Sequence, residues 1–242
     1  MEVKVINEQS LLLYFKEEIS EVNYQEVDLT TQHILSKNIP DIRDVIPSYR
    51  AIMINFNNDS IDYKQLIEKL ELDKLKVSKD DTYSKKNVIH IPVLYNLEMG
   101  PDLEEVASYN NLTIEEVVQI HTTNEYLVYM LGFMPGFPFL GGLDERIHTP
   151  RRSEPRVKIN AGSVGIANNQ TGLYPSDSPG GWQIIGRTPL KVFDQYFEPM
   201  TLYEAGDYIK FYSIDETTYN QIESEINDGR FNKEKWVTRS GH

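Results

Sequence analysis

Ala161-Gly162-Ser163-Val164-Gly165-Ile166-Ala167-Asn168-Asn169-Gln170-Thr171-Gly172-Leu173-Tyr174 is the stretch whose reading decides the fold. Ser163–Ala167 and Thr171–Tyr174 read as short strands, and the Asn-Asn between them reads as a hairpin turn, because asparagine tolerates positive φ. Trp182–Ile185, Leu190–Phe193 and Tyr208–Phe211 repeat the pattern of short apolar runs between turn residues. Closely spaced short strands of this kind predict a barrel or sandwich.

Upstream lies Gly132-Phe133-Met134-Pro135-Gly136-Phe137-Pro138-Phe139-Leu140-Gly141-Gly142, which packs three phenylalanines among four glycines and two prolines. Glycine lets backbone approach a ligand closely, and proline lowers the entropy lost on ordering a loop. Phe133, Pro135, Gly136, Phe137 and Phe139 are therefore expected as a pocket wall, with Trp182 from the next glycine turn, or as a buried loop that wraps over the core, and both can hold at once. Thr149-Pro150-Arg151-Arg152-Ser153-Glu154-Pro155-Arg156 follows. Three arginines held between prolines suit bidentate recognition of carboxylate or phosphate, although a solvated basic loop has the same composition. Gln170, Tyr174, Ser178 and Arg187 add amide, hydroxyl and guanidinium groups for a small polar ligand. The whole segment Gly132–Arg187 carries six basic and four acidic side chains in a chain of net charge −13, which fits an anionic ligand there and equally fits local charge balance on a long loop.

Outside this segment the chain reads as ordinary α+β. Glu2–Asn7 and Ser10–Phe15 are predicted strands, Glu21–Asn38 a helix stopped by Asn38-Ile39-Pro40, Tyr49–Asn57 a strand and Ile61–Leu75 a helix. The polar stretch Lys74–Asn87 is expected to be a linker or exposed loop. Val88–Val93 is a predicted strand. A helix after Gly100-Pro101 is expected to take proline at its first position, with Asp102, Glu104 and Glu105 in its first turn. Thr113 and Glu116 form a capping box for the next helix. Tyr126–Phe133 is a strand, and Asp215–Asp228 a closing helix. The division predicted is an N-terminal α+β domain, residues 1–86, and a β-rich domain with a C-terminal helix, residues 87–242.

Several chemistries are set aside. No G-x-x-x-x-G-K-[ST] occurs, so ATP is not expected to bind through a P-loop, and no G-x-G-x-x-G opens a helix. Ser163 lacks the strand-to-helix context of a nucleophile elbow. The histidines are not spaced as zinc ligands, and the chain has no cysteine, so no metal site is expected. His121, at a helix end, is expected as a charge-favoured or hydrogen-bonded histidine. The acidic balance argues against nucleic-acid and anionic-membrane partners. The absence of cysteine and of a signal-like start favours a cytoplasmic location.

Tyr129–Leu143, Thr149-Pro150-Arg151-Arg152, Ala161–Ala167, Gln170-Thr171-Gly172 and Ser178-Pro179-Gly180-Gly181-Trp182 closely resemble one family. Pro47-Ser48-Tyr49-Arg50, Gly100-Pro101-Asp102-Leu103 and His121-Thr122 extend the resemblance. It is the family of the B subunit of bacterial ATP-dependent 5-oxoprolinase, also called allophanate hydrolase subunit 1, which includes the sporulation-kinase inhibitor KipI. Asn160 departs from the family's usual proline, and Asn168-Asn169 from its glycine pair. The resemblance implies a cyclophilin-like β-barrel as the second domain. It implies one component of a heteromeric complex, inactive alone, that opens 5-oxoproline to L-glutamate with ATP. Its partners there are the A subunit of 5-oxoprolinase and the C subunit, the latter of the allophanate hydrolase subunit 2 family. Two other activities occur among such proteins: inhibition of a sensor histidine kinase, and a share in a biotin-dependent urea-type carboxyltransferase.

Overall fold

The computed structural model describes residues 1–75, 87–196, 198–230 and 232–239. The chain forms two compact units, Met1–Tyr83 and Ser84–His242. The expected linker Lys74–Asn87 and the expected division after residue 86 fall largely outside the described residues.

In the first unit β1 (Glu2–Asn7), β2 (Ser10–Tyr14), α1 (Glu21–Ser36), β3 (Ile42–Pro47), β4 (Ala51–Phe56) and α2 (Tyr63–Leu70) follow in order. The strands make an antiparallel sheet ordered β1-β2-β4-β3. Period-two alternation turns Leu11, Leu13, Ile52, Ile54 and Phe56 to one face, where Val27 and Ile34 of α1 and Leu66 and Leu70 of α2 cover them. Ser20 caps α1, and Asp62 with Gln65 makes a capping box for α2. The helix expected to run to Leu75 stops at Leu70, because Glu71 adopts a left-handed conformation at φ 48°. Strand β3 was not expected: a register shift between Ile42 and Asp44 breaks its alternation.

The second unit contains β5 (Asn87–Val93), α3 (Leu103–Tyr109), α4 (Ile114–Thr123), β6 (Tyr126–Leu131), β7 (Pro138–Leu140) and β8 (Arg156–Ile159). It continues with β9 (Ser163–Ala167), β10 (Gln170–Leu173), β11 (Ser178–Gly180), β12 (Gln183–Arg187), β13 (Tyr208–Ser213), α5 (Glu216–Asn227) and β14 (Val237–Arg239). Eight strands form one sheet ordered β12-β9-β10-β7-β6-β13-β5-β14, and β8 pairs with β11 apart from it. The fold is therefore mixed helix and sheet, but the expected closed barrel is not formed. The sheet curls until Leu94, just past β5, bridges Arg187 of β12 through paired backbone hydrogen bonds of 2.9 and 3.1 Å. That bridge stands alone, and β14 takes the start of β5 instead. Strands β7 and β11 are three residues long and contain proline, which hides them from periodicity. The strand expected at Leu190–Phe193 is a loop, bridged once from Phe193 to Thr201.

The core of this unit joins Ile89, Ile91 and Val93 of β5 to Val106, Val117, Val128, Ile166 and Phe211. His121 sits inside it, fully buried. Its ring stacks on Phe211 at 4.9 Å between centroids. The Thr171 hydroxyl donates to Gly165 O (3.1 Å) and so accepts from His121 Nε2–H (2.8 Å). Nδ1 is left to accept from the Tyr95 hydroxyl at 2.8 Å. This relay ties α4 to β10 and requires a neutral imidazole. The expectation of a hydrogen-bonded histidine holds, and that of a charge-favoured one does not.

Burial lowers the pKa of His121 from 6.5 to about 3. Below about pH 6.5 the unfolded chain takes up a proton at this site that the folded chain refuses until pH 3. The stabilisation is thus complete above pH 6.5 and is lost progressively as pH falls toward 3. We expect His121→Gln to be less stable than wild type at pH 7.5 and to lose less further stability by pH 5. Urea unfolding of both proteins at the two pH values checks this; parallel losses would contradict it.

Candidate functional site

The helix after Gly100-Pro101 begins at Leu103, so Pro101 lies ahead of its N-cap position rather than at its first residue. Asp102 occupies that cap position, yet its side chain makes no bond to its own helix. Its carboxylate, 2 % exposed, is engaged elsewhere. Arg156 grips it through both terminal nitrogens, at 2.8 and 2.6 Å. Arg152 adds a third charged contact at 2.7 Å, and the Ile184 N–H a fourth at 2.6 Å. Glycine at 100 is what lets α3 lie this close to β12, since a Cβ there would stand 2.2 Å from Ile185 O. One carboxylate thereby joins α3, the arginine loop and β12.

Arg152 and Arg156 therefore already hold an anion, supplied by the chain. Arg151 faces the other way. It is exposed, and its guanidinium lies 5.8 Å from the centre of the Trp182 ring. Trp182 belongs to a cluster centred on Phe137, which is 2 % exposed. Phe133, Phe139, Tyr174 and Trp182 meet Phe137 edge-on at 5.2–5.6 Å between centroids. Glycine at 172 makes room for it, because a Cβ there would come within 2.8 Å of Trp182 and 3.2 Å of Phe137. Burial raises the Tyr174 phenol to about 12, against the opposing pull of Arg151. The phenol is thus a neutral hydrogen-bonding group beside a cation.

The loop that carries Phe133 is tight: Gly132 N–H bonds Phe137 O at 3.1 Å, and Gly136 O accepts from the Tyr203 hydroxyl at 2.8 Å. Phe133 itself stands at φ 66° and is 70 % exposed. A large aromatic held in the left-handed region and in water is costly on both counts, and such strain gathers at binding sites. Pro135 is exposed at the same turn. The structure thus brings together Arg151, Tyr174, Trp182, Phe133, Phe137 and Phe139.

The remaining expected residues lie on other strands. Gln170 opens β10 opposite Ala167, and Ser178 opens β11 opposite Ile159. Arg187 donates to Ala161 O at 2.9 Å, near Asp177, which pairs with Lys158 at 2.8 Å. Sequence reasoning missed Gln183. It is 2 % exposed and donates to Glu105 (3.2 Å) and Pro150 O (3.1 Å). Gln183 Oε1 and Arg152 Nε are buried without a partner among the described residues. No motif marks Gln183. Among the described residues no group of three or more histidine or acidic side chains could hold a metal ion.

Removing one partner of a buried ion pair leaves uncompensated charge and costs about 3–5 kcal/mol. We expect Asp102→Ala to lose stability in that range. Glu105→Ala should lose less, about 1 kcal/mol, because Glu105 meets Arg152 at 3.5 Å from a side chain 57 % exposed and the Gln183 amide that donates to it keeps Pro150 O. Chemical denaturation orders the two; equal losses would contradict the central place given to Asp102.

The carboxyltransferase domain family, subdomain C and D, matches residues 1–203. The 5-oxoprolinase B subunit of Bacillus subtilis is 41 % identical over 236 residues, covering 93 % of this chain and 98 % of that one. That of Haemophilus influenzae is 44 % identical, over 71 % of this chain and 79 % of its own. A conserved uncharacterized protein of Pyrococcus horikoshii is 39 % identical with a TM-score of 0.54, over 90 % of this chain and 99 % of the other. The urea carboxylase of Kluyveromyces lactis shares the fold at 19 % identity and a TM-score of 0.77; the chain spans 96 % of itself but 23 % of that protein. The chain belongs to the carboxyltransferase C and D subdomain family and, within it, to the family of 5-oxoprolinase B subunits.

Proposed function

We propose that this chain is the B subunit of an ATP-dependent 5-oxoprolinase, working with the A and C subunits to open 5-oxoproline to L-glutamate. The observation that carries the reading is the 41 % identity to a 5-oxoprolinase B subunit over nearly the full length of both chains. The geometry gives the reading a chemical form. 5-Oxoproline offers a carboxylate and a ring amide on a small apolar ring. Arg151 suits the carboxylate, because Arg152 and Arg156 are engaged by Asp102 whereas Arg151 rests on an aromatic face. Tyr174 beside it, neutral at physiological pH, suits the amide. The apolar ring fits against Trp182 and the Phe133 side of the cluster.

This is one wall of a site. Nothing in it activates water or carries a phosphoryl group, and the chain has no P-loop, so the reading assigns ATP to a partner or to the contact with one. The chain alone is then inactive, and Phe133 is the residue a partner protein would cover. No helix among the described residues is long and apolar enough to cross a membrane.

A second reading, one component of a biotin-dependent carboxyltransferase, draws on the family's own description and on 26 % identity to a putative urea carboxylase of Emericella nidulans. Identities of 36–44 % to the oxoprolinase B subunits weigh against it. A kinase-inhibitor reading would place a partner on the aromatic cluster. Its natural test residue is Phe133, since truncating the buried Phe137 would cost about 3–5 kcal/mol of stability by itself.

The test is reconstitution with the A and C subunits and an assay of glutamate release from 5-oxoproline and ATP. We expect activity in the complete mixture and none from this chain alone. Arg151→Ala should raise KM about ten- to a hundredfold, the loss of one charge-assisted hydrogen bond of about 1.5–3 kcal/mol, at unchanged stability. An inactive complete mixture of folded proteins would overturn the assignment.

A further inference from the structure

The sheet of the first unit ends in two edges of unlike character. The β3 edge is blunted in the usual ways. Its register shifts between Ile42 and Asp44, its solvent-facing residues include Arg43 and Asp44, and Pro47 at its end has no N–H to offer. The β1 edge has neither a bulge nor a proline along Glu2–Val5, and its charged residues there, Glu2 and Lys4, are of opposite sign. Its one irregularity falls after Val5, between Val5 and Asn7, and every residue of the strand is exposed. Met1, Val3, Val5 and Ile6 are 59, 37, 48 and 53 % exposed. Val3 and Val5 stand opposite Leu13 and Leu11, which are fully buried. They therefore extend the core row of the sheet beyond the cover that the helices give it. An open, apolar edge is a template for another strand.

We propose that β1 pairs antiparallel with β1 of a second copy of this chain, about a twofold axis through Val3, to make one continuous eight-stranded sheet. The register follows from the sequence. Opposed residues of an antiparallel pair share a face, so their numbers must sum to an even value. With Val3 facing Val3, Val5 faces Met1 and Lys4 faces Glu2. Met1, Val3 and Val5 then all meet apolar side chains, and both lysines meet carboxylates. Shifting the axis to Lys4 sets lysine against lysine and Glu2 against Ile6. Shifting it to Val5 sets Lys4 against Ile6 and Val3 against Asn7. Cross-strand opposite charges stabilise a pairing and like charges oppose it. The chain already brings Lys4 within 3.6 Å of Glu2 on the same face, so both side chains are disposed toward this contact. The interface is isologous, as a twofold dimer requires.

Sedimentation velocity on the full chain tests this, with hydrogen exchange on the same samples. Wild type should pass from monomer to dimer between about 1 and 100 micromolar, the range of weak complexes. Amides of residues 2–6 should gain protection over the same range. Val3→Glu sets two carboxylates face to face on the axis and should leave a folded monomer throughout. Lys4→Glu should weaken the dimer at least tenfold, and the swap Glu2→Lys with Lys4→Glu should restore it, because the swap recreates both cross-strand pairs. A wild type that stays monomeric at 100 micromolar overturns the proposal. So does a dimer indifferent to Val3→Glu, a charge swap that fails to rescue, or protection of residues 2–6 that arises only when a different protein is added. None of these readouts depends on oxoprolinase activity.

Discussion

A buried carboxylate with three cationic contacts and one backbone donor is the point from which the second unit is organised. Asp102 gives up the capping of its own helix to hold Arg152, Arg156 and the Ile184 N–H. Burying a charge is tolerable only when it is paired and its remaining lone pairs are met, and here all of this is supplied by groups from two distant segments. The consequence is positional. Fixing Arg152 and Arg156 against α3 fixes the loop between them and Pro150, and so decides where Arg151 stands. Two further ties hold the loop: Arg152 N–H donates to Gly181 O at 2.8 Å, and Gln183, on the strand that follows Trp182, donates to Pro150 O at 3.1 Å. Arg151 and its aromatic platform are thus held by the same network.

The aromatic cluster is the second half of that arrangement. Edge-on contacts around Phe137 contribute about 0.5–1.5 kcal/mol each beyond the area they bury. They make a closely packed wall with an exposed cation at its rim. Rigidity matters for a small substrate, because a ring of a few atoms has little binding energy to spend on ordering its site. One costly feature, Phe133 in a left-handed conformation and in water, lies at the edge of the wall, where a second protein would meet it. A wall, a cation and an exposed anchor are what a shared site would leave on one partner.

Much of this was legible in the sequence, and the misses have physical causes. The Thr113–Glu116 capping box and strands β9 and β10 were readable because their signals are local: a cap three residues from its partner, a period of two between turns. The density of glycine and aromatic residues marked a closely packed segment, since glycine at 172 is a requirement of the Phe137–Trp182 packing. What the sequence could not show was that two of three clustered arginines already had a carboxylate. Asp102 lies 50 residues from Arg152, and as a helix-start acid it carried an ordinary explanation. Phe133 and Phe137 look alike on paper, yet one is in water and the other in the core, because a tight turn between them reverses the side-chain direction. Barrel closure was overestimated for a similar reason: strand count is local, while closure depends on one bridge between Leu94 and Arg187.

We propose that Arg151, which the Asp102 network leaves unengaged, reads the carboxylate of 5-oxoproline in an assembled complex. Competition with the carboxamide analogue of 5-oxoproline, which lacks the charge but keeps the ring, tests it most directly. In the assembled wild-type complex the carboxylate should be preferred over the carboxamide by at least tenfold, and in Arg151→Ala the preference should collapse to near unity. A preference that survives unchanged in Arg151→Ala would show that another group reads the carboxylate, and would contradict the account.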